Sequence, residues 1–180
     1  MKLLLDTCVM YPTVMRSVLL GVARAGIFTP LWSARILEEW ARAARKLGPE
    51  GEMQARAEIA LVQANWPKAE VSVQEGLEKR LYLPDPADVH VLAAAIAGSA
   101  DGILTVNAKD FPRNILAEEG LSRNDPDGFL FGVWQAHPEM VSEIVENVRK
   151  EACRLSGEEW ETRALMKKAR LPRLGKALTR

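Results

Sequence analysis

The chain has 180 residues, of which 48% are apolar and 27% are charged, and these values are typical of one ordinary globular domain with room for an appendix. Two cysteines are too few for a disulfide scaffold or a thiolate metal site, and no apolar stretch approaches the length of a membrane span. The first residues lack the apolar segment and cleavage site of a secretory leader. We therefore expect a soluble, cytoplasmic protein with no membrane partner.

Short apolar runs alternate with longer amphipathic segments along the chain. The runs at residues 3–5 and 103–106 predict buried strands, and shorter extended segments are predicted near residues 27–31 and at Val71 and Val73. Predicted helices cover residues 12–26, 33–47, 51–64 and 89–97, and a mostly helical region then continues to about residue 155 and a last segment. This alternation predicts an α/β layered fold with a central parallel sheet flanked by helices.

Acidic residues occur where the strands and helices of such a fold would bring side chains together. Ligand sites lie beyond the carboxyl ends of parallel strands, and Asp6 and Asn107 each follow a predicted strand. Because an unpaired buried charge is costly, Asp6 either serves a site or caps the next helix. Glu39 lies at the edge of the apolar face of its helix, with Glu38 on the opposite side. Glu39 therefore either reaches a site or pairs with a neighbouring arginine.

Two further acids flank the second buried strand. Asp88 lies in the first turn of a very apolar helix, after Asp85 as its cap, so it either favours the helix dipole, by about 0.3–1 kcal/mol, or places a carboxylate at the mouth of the core. We favour the second interpretation. Asp110 either caps the following helix or joins a site with Asn107, whose carbonyl oxygen can bind a metal or a water. His90 is predicted to be a surface or helix-edge residue rather than a catalytic base.

A cluster of these carboxylates implies a metal ion. Three or four such groups cannot all stay ionised without compensation, and oxygen ligands with little nitrogen or sulfur select Mg²⁺ or Mn²⁺ over Zn²⁺. Such ions activate water and stabilise charge in phosphoryl transfer. The pattern therefore predicts phosphodiester hydrolysis, with Thr7 and Thr105 as supporting hydroxyls.

The formal net charge of zero hides an asymmetry. From Arg163 onward there are seven basic residues and no acidic one, which leaves 17 basic and 24 acidic residues before it. An acidic body with a basic tail indicates that the tail meets something negative, either nucleic acid or the acidic body of a second copy. A solvated helical tail without a partner is the alternative.

Four segments carry a resemblance to a known family. They read LLLDT at residues 3–7, ILEEW at 36–40, DPADVHVLAAA at 85–95 and TVNAKDFP at 105–112. In this order they resemble the PIN domain, and within that family the VapC-like ribonuclease toxins of toxin–antitoxin modules. The resemblance covers residues 1–135 as a nuclease domain, and residues 136–180 resemble the helical extension, here with a basic tail, that some such proteins carry.

The resemblance implies a three-layer fold and an Mg²⁺- or Mn²⁺-dependent ribonuclease whose acidic site includes Asp6 and Asp88, and we expect these two residues to hold the metal directly. It places Glu39 in the acidic site as well, and leaves the fourth position to Asp110 or Asn107. Many members of the family have an acid two residues after the threonine, where this chain has Asn107. The resemblance also implies an RNA substrate, a homodimer and a small antitoxin protein.

Two other functions are less compatible with the residues. A haloacid-dehalogenase-like phosphatase needs a second aspartate two residues after the first, where this chain has Cys8. A nucleotide-binding fold needs a glycine-rich phosphate loop, which the sequence lacks. A non-catalytic PIN-like module that binds RNA or a protein remains open, because Asn107 replaces an acid.

Overall fold

The computed structural model describes residues 1–179. Contacts within the chain divide it into two compact units. The first unit consists of Met1–Tyr11 and Phe28–Arg123, and the second of Pro12–Ile27 and the described residues from Asn124 onward. The domain boundary predicted at residue 135 stays a prediction. The later part of the second unit begins at Asn124, somewhat before that residue.

A five-stranded sheet has the order β3-β2-β1-β4-β5. Its strands are β1 (Lys2–Leu5), β2 (Thr29–Ser33), β3 (Glu70–Val71), β4 (Gly102–Leu104) and β5 (Ser122–Asn124). Strand β1 pairs in parallel with β2 and β4, with Leu4 opposite Leu31 and Ile103. Leu3, Leu4 and Leu5 are completely buried, which explains why the central strand is an unbroken apolar run.

Residues 1–179 contain ten α-helices. They are α1 (Thr7–Met10), α2 (Thr13–Arg24), α3 (Ala34–Ala43), α4 (Gly51–Asn65), α5 (Val89–Ala97), α6 (Arg113–Glu118), α7 (Pro126–Ala136), α8 (Pro138–Ser156), α9 (Thr162–Lys168) and α10 (Pro172–Leu178). In the first unit α5 packs on β1, β2 and β4, while α3 contacts β2, α1 and α4. Single turns of 3₁₀ helix cover Ala44–Leu47, Leu77–Arg80 and Pro86–Asp88.

The second unit is helical. Helix α8 packs on α2, α7 and α9, and α10 packs on α7 and α9. Asp127 accepts hydrogen bonds from the backbone N–H groups of Arg173 and Leu174, at 2.8 and 2.9 Å. A carboxylate at this position satisfies the free N–H groups at the start of α10 and favours the helix dipole.

The predicted α/β fold with a parallel sheet between helices is confirmed. Three details of the prediction were wrong. The second buried strand ends at Leu104 rather than residue 106, β3 includes Val71 but not Val73, and the short strand β5 was not predicted. Within residues 1–179, no helix combines the length and the apolar character needed to cross a membrane.

Candidate active site

Asp6 lies where β1 ends and α1 begins. Its backbone N–H donates to the carbonyl oxygen of Leu104, at 3.1 Å, so the β1–β4 ladder holds it beside the end of β4. The side chain is 6% exposed. Two donors meet at its Oδ2 atom: the Thr105 hydroxyl at 2.7 Å and the Cys8 thiol at 3.0 Å. Burial, together with the Asp6 charge, raises the pKa of Cys8 to about 12, so this thiol keeps its proton and remains a donor.

Three carboxylates converge close to this point. Asp85, Asp88 and Asp110 each offer an oxygen, and these oxygens lie within 4.8 Å of one another. Asp85 also accepts a hydrogen bond from the Ala87 backbone N–H, at 2.9 Å, which confirms its predicted capping role. Asp88 and Asp110 are partly buried, whereas Asp85 is exposed. The cluster therefore faces solvent on the Asp85 side.

Asn107 bridges two of these carboxylates. Its side-chain amide donates to Asp110 at 2.8 Å and to Asp88 at 3.3 Å. Its backbone N–H donates to the Thr105 hydroxyl, at 3.0 Å, and that hydroxyl in turn donates to Asp6. A chain of hydrogen bonds thus connects Asp6 to Asp88 and Asp110. In this arrangement Asn107 acts through its N–H groups, whereas we predicted a role for its carbonyl oxygen.

The loop that carries Asp110 is held from outside the cluster. Arg123 Nη1 donates to the carbonyl oxygens of Ala108 and Phe111, at 2.7 and 2.9 Å. The Phe111 side chain is completely buried. Because backbone and side-chain contacts fix the residues on both sides of Asp110, its carboxylate is oriented before any ligand arrives.

The surroundings of Asp88 disfavour the ionised form of its carboxyl group. Burial, followed by the charges of Asp6, Asp85 and Asp110, raises the pKa of its carboxyl to about 6, against an ordinary value of 3.8. A carboxylate surrounded by other carboxylates disfavours its own ionised form. A bound cation would reverse this effect, because it stabilises every ionised member of the cluster at once.

Glu39 stands apart from the three converging carboxylates. Helix α3 starts at its N-cap Ser33, whose hydroxyl accepts the Ile36 N–H, and it turns Glu39 toward Thr7. The Thr7 hydroxyl donates to Glu39 Oε2 at 2.8 Å, and Arg35 Nε lies 3.7 Å from Oε1. Burial acts to raise the pKa of Glu39, but its contacts with His90 and Thr7 outweigh burial and lower the pKa.

His90 is a buried partner of Glu39. Its Nε2 atom lies 2.8 Å from Glu39 Oε1, and its side chain is 2% exposed. By hydrogen-bond geometry neither Nδ1 nor Nε2 has a partner among residues 1–179, so the approach of Nε2 to Glu39 is a close contact. The prediction of a surface or helix-edge histidine was therefore wrong, because α5 is buried from His90 to Ala95.

The structure thus brings four of the five predicted residues into one connected group: Asp6, Asp88, Asp110 and Asn107. Glu39 is not hydrogen-bonded to these four residues within residues 1–179, but it accepts from Thr7, the chain neighbour of Asp6. Two residues of this region were not predicted to belong to a site. Asp85 was interpreted only as a cap, although its spacing of three residues from Asp88 around Pro86 places both acids in one turn. His90 gave no local signal of its contact with Glu39, which lies on another helix.

The donor set fits a hard divalent ion. Asp85, Asp88 and Asp110 offer carboxylate oxygens, and Asp6 adds charge close enough to raise the pKa of Asp88. The cluster of Asp85, Asp88 and Asp110 contains no histidine and no thiolate. Oxygen ligands of this kind suit Mg²⁺ or Mn²⁺ better than Zn²⁺.

Comparison with known proteins agrees with this architecture. The sequence profile of the PIN domain matches residues 2–109, which is more than half of the chain and includes β1, α5, β4 and Asn107. Searches of curated proteins and of solved structures gave no match. Members of the matched family are generally nucleases with a three-layer α/β fold and typically use divalent metals. The chain therefore belongs to the PIN-domain family.

Proposed function

We propose that this protein is a metal-dependent endoribonuclease that hydrolyses RNA phosphodiester bonds with Mg²⁺ or Mn²⁺. The observation that carries the proposal is the convergence of Asp85, Asp88 and Asp110 within 4.8 Å beside the charge of Asp6. Such a cluster is unfavourable without a cation, and a cation held by oxygens is suited to phosphoryl chemistry.

Each residue of the proposed site has a distinct task. Asp6 and Asp88 would hold the metal, and Asp110, with Asp85 on the solvent side of the cluster, would complete its shell. The hydroxyl of Thr105 and the thiol of Cys8 fix the orientation of the Asp6 carboxylate. Asn107 spaces Asp88 from Asp110 by donating to both. When bound, the ion supplies a polarised water and neutralises charge on the phosphate.

Glu39 is proposed to orient the attacking water. Its pKa is lowered by the contacts with His90 and Thr7, so the carboxylate is ionised at neutral pH and can accept a hydrogen bond from water. Thr7 and His90 hold both of its oxygens. A group fixed in this way aligns a nucleophile better than a mobile one.

The resemblance to VapC-like toxins supports a more specific role. We propose that the protein is the toxin of a toxin–antitoxin module, that it acts in the cytoplasm as a homodimer, and that a small antitoxin protein blocks the site. Residues 136–180, which belong to the second unit, are proposed to be the helical extension that some such proteins carry. Co-expression with the neighbouring gene product and rescue of growth would test this role.

The proposed site is tested by RNA cleavage. Asp88→Asn is expected to reduce cleavage in Mn²⁺ or Mg²⁺ at least about a hundredfold, because it removes a metal ligand. Glu75→Gln is the matched control, since Glu75 is exposed in the same unit and loses a carboxylate in the same way. Unchanged cleavage by purified Asp88→Asn protein would refute the assignment of the site.

The alternative function is a non-catalytic module that binds RNA or a protein. One observation favours it: Asn107 stands where many relatives have an acid, and its amide occupies oxygens of Asp88 and Asp110. Calorimetric titration with Mn²⁺ discriminates between the two functions. The enzyme must bind the ion and lose binding in Asp6→Ala, whereas the module need not bind it at all.

A further inference from the structure

The C-terminal helices α9 and α10 present an unneutralised cationic surface, here called the α9–α10 surface. It is formed by the exposed side chains of Arg163, Lys167, Lys168, Arg170, Arg173 and Lys176. No acidic residue occurs between residues 162 and 180. The apolar side chains of the same segment, such as Leu165, Met166 and Leu174, are buried. The cations therefore belong to a folded element and not to a loose tail.

These cations differ from the arginines on three other helices. The arginines of α3, α4 and α8 form ion pairs with glutamates, as in Arg42–Glu38, Arg56–Glu52 and Arg154–Glu151. Within residues 1–179 no carboxylate forms an ion pair with any cation of the α9–α10 surface. Internal pairing thus neutralises charge on other helices but leaves this surface positive.

Two aromatic rings hold part of the surface in place. Lys168 Nζ lies 4.4 Å from the centre of the Trp160 ring, and Arg173 Cζ lies 4.2 Å from the centre of the Phe131 ring. Cations over aromatic faces are attracted to the ring. The two contacts therefore restrict the positions of Lys168 and Arg173, while both side chains remain exposed.

We infer that the α9–α10 surface binds the phosphate backbone of RNA. Interfaces between proteins have a core depleted of charge and enriched in apolar and aromatic residues, whereas nucleic-acid interfaces are strongly positive. The exposed side chains of this segment other than the cations are small or polar: Ala164, Pro172 and Thr179. The choice of RNA as the polyanion rests on the proposed ribonuclease function.

The test compares two charge-matched triple variants. The first replaces Arg163, Lys167 and Lys176 by glutamine, since these helical side chains are exposed. The control replaces Lys46, Lys68 and Lys79 by glutamine, because these cations are exposed in the first unit. Both variants lose three positive charges, so a difference between them reports position and not net charge. Equal thermal midpoints would show that both remain folded.

Binding of a labelled single-stranded RNA of about 20 nucleotides is measured in EDTA, where metal-dependent cleavage cannot occur. We expect the first variant to bind at least about tenfold more weakly at low salt. The slope of log affinity against log salt should fall by about 2, because each lost contact to a single strand contributes about 0.7. The control variant should retain wild-type affinity.

Three results would overturn the inference: wild-type RNA binding by the first variant, equal losses in both variants, or sedimentation in which the first variant loses self-association but keeps RNA binding. The last result would assign the surface to a second copy of the chain. Cleavage of the same RNA in Mn²⁺ is scored separately. Binding without cleavage would refute the nuclease proposal alone and leave the α9–α10 surface standing.

Discussion

Replacing Asp88 by asparagine should change the stability of the protein in opposite directions without and with a divalent ion. Burial and the neighbouring carboxylates raise the pKa of Asp88 from 3.8 to about 6, so the fold favours the protonated form. The contribution of Asp88 to stability is therefore largest below pH 3.8 and is lost as the pH rises through about 6. The full difference corresponds to about 3 kcal/mol, and solvent screening at this partly exposed side chain reduces it to about 1 kcal/mol.

Thermal unfolding at pH 7.5 measures this difference. Without metal, Asp88→Asn should unfold about 2–4 °C higher than the wild type, as expected for about 1 kcal/mol in a chain of this size. At pH 4 the two midpoints should coincide. With Mn²⁺ at about one hundred times its Kd, the wild type gains about 2.7 kcal/mol and should become the more stable protein.

The decisive observation is that the order of the two thermal midpoints reverses when Mn²⁺ is added. The matched control Glu75→Gln should follow the wild type under each condition, because that side chain is exposed and is not one of the clustered acids. A lower midpoint of Asp88→Asn in EDTA at pH 7.5, or an equal stabilisation of both proteins by Mn²⁺, would refute the electrostatic reasoning.

Three further predictions concern the supports of the site and of the sheet. His90→Ala should lower the rate of RNA cleavage about tenfold or more, because Glu39 loses a contact that fixes its position. The affinity for Mn²⁺ should change little, because the acidic cluster stays intact. A loss of Mn²⁺ affinity as large as the loss of rate, measured by calorimetry, would contradict this prediction. Arg123→Gln should weaken Mn²⁺ binding, because two loop carbonyls lose their donor; calorimetry with unchanged affinity would count against it. Gly98→Ala should cost about 1–3 kcal/mol in urea unfolding, because its Cβ would lie 2.8 Å from Leu31 Cδ1; a midpoint equal to that of the wild type would contradict the close packing.

Much of the first unit follows from the sequence by local rules. The unbroken run Leu3–Leu5 predicts a strand buried on both faces, and the structure buries all three side chains. Asp6 then stands at a strand end because the apolar run stops there, and Ser33 caps α3 because its hydroxyl reaches the Ile36 N–H. These signals depend on neighbours along the chain, so a single sequence is enough to detect them.

The features that were missed depend on partners from distant segments. His90 lies in a helix that is apolar nearly all round, and hydrophobic periodicity cannot show that its polar side chain is buried against Glu39. The capping role of Asp85 was enough to explain this residue from its neighbours, so its proximity to Asp110 was not predicted. Strand β5 (Ser122–Asn124) lies at the edge of the sheet and is short and polar. It therefore lacks the alternation of apolar and polar residues that predicts strands.

The pairing of β1 with β4 determines when the acidic site can exist. These strands are separated by about one hundred residues of chain, and their register sets Leu5 against Leu104, directly before Asp6 and Thr105. Closing so long a loop costs conformational entropy, and it is therefore slower than local helix formation. Asp6 consequently remains apart from the acids at Asp88 and Asp110 until β1 and β4 have paired. A nascent chain emerging from the ribosome therefore cannot assemble the acidic site before its β4 segment has been made.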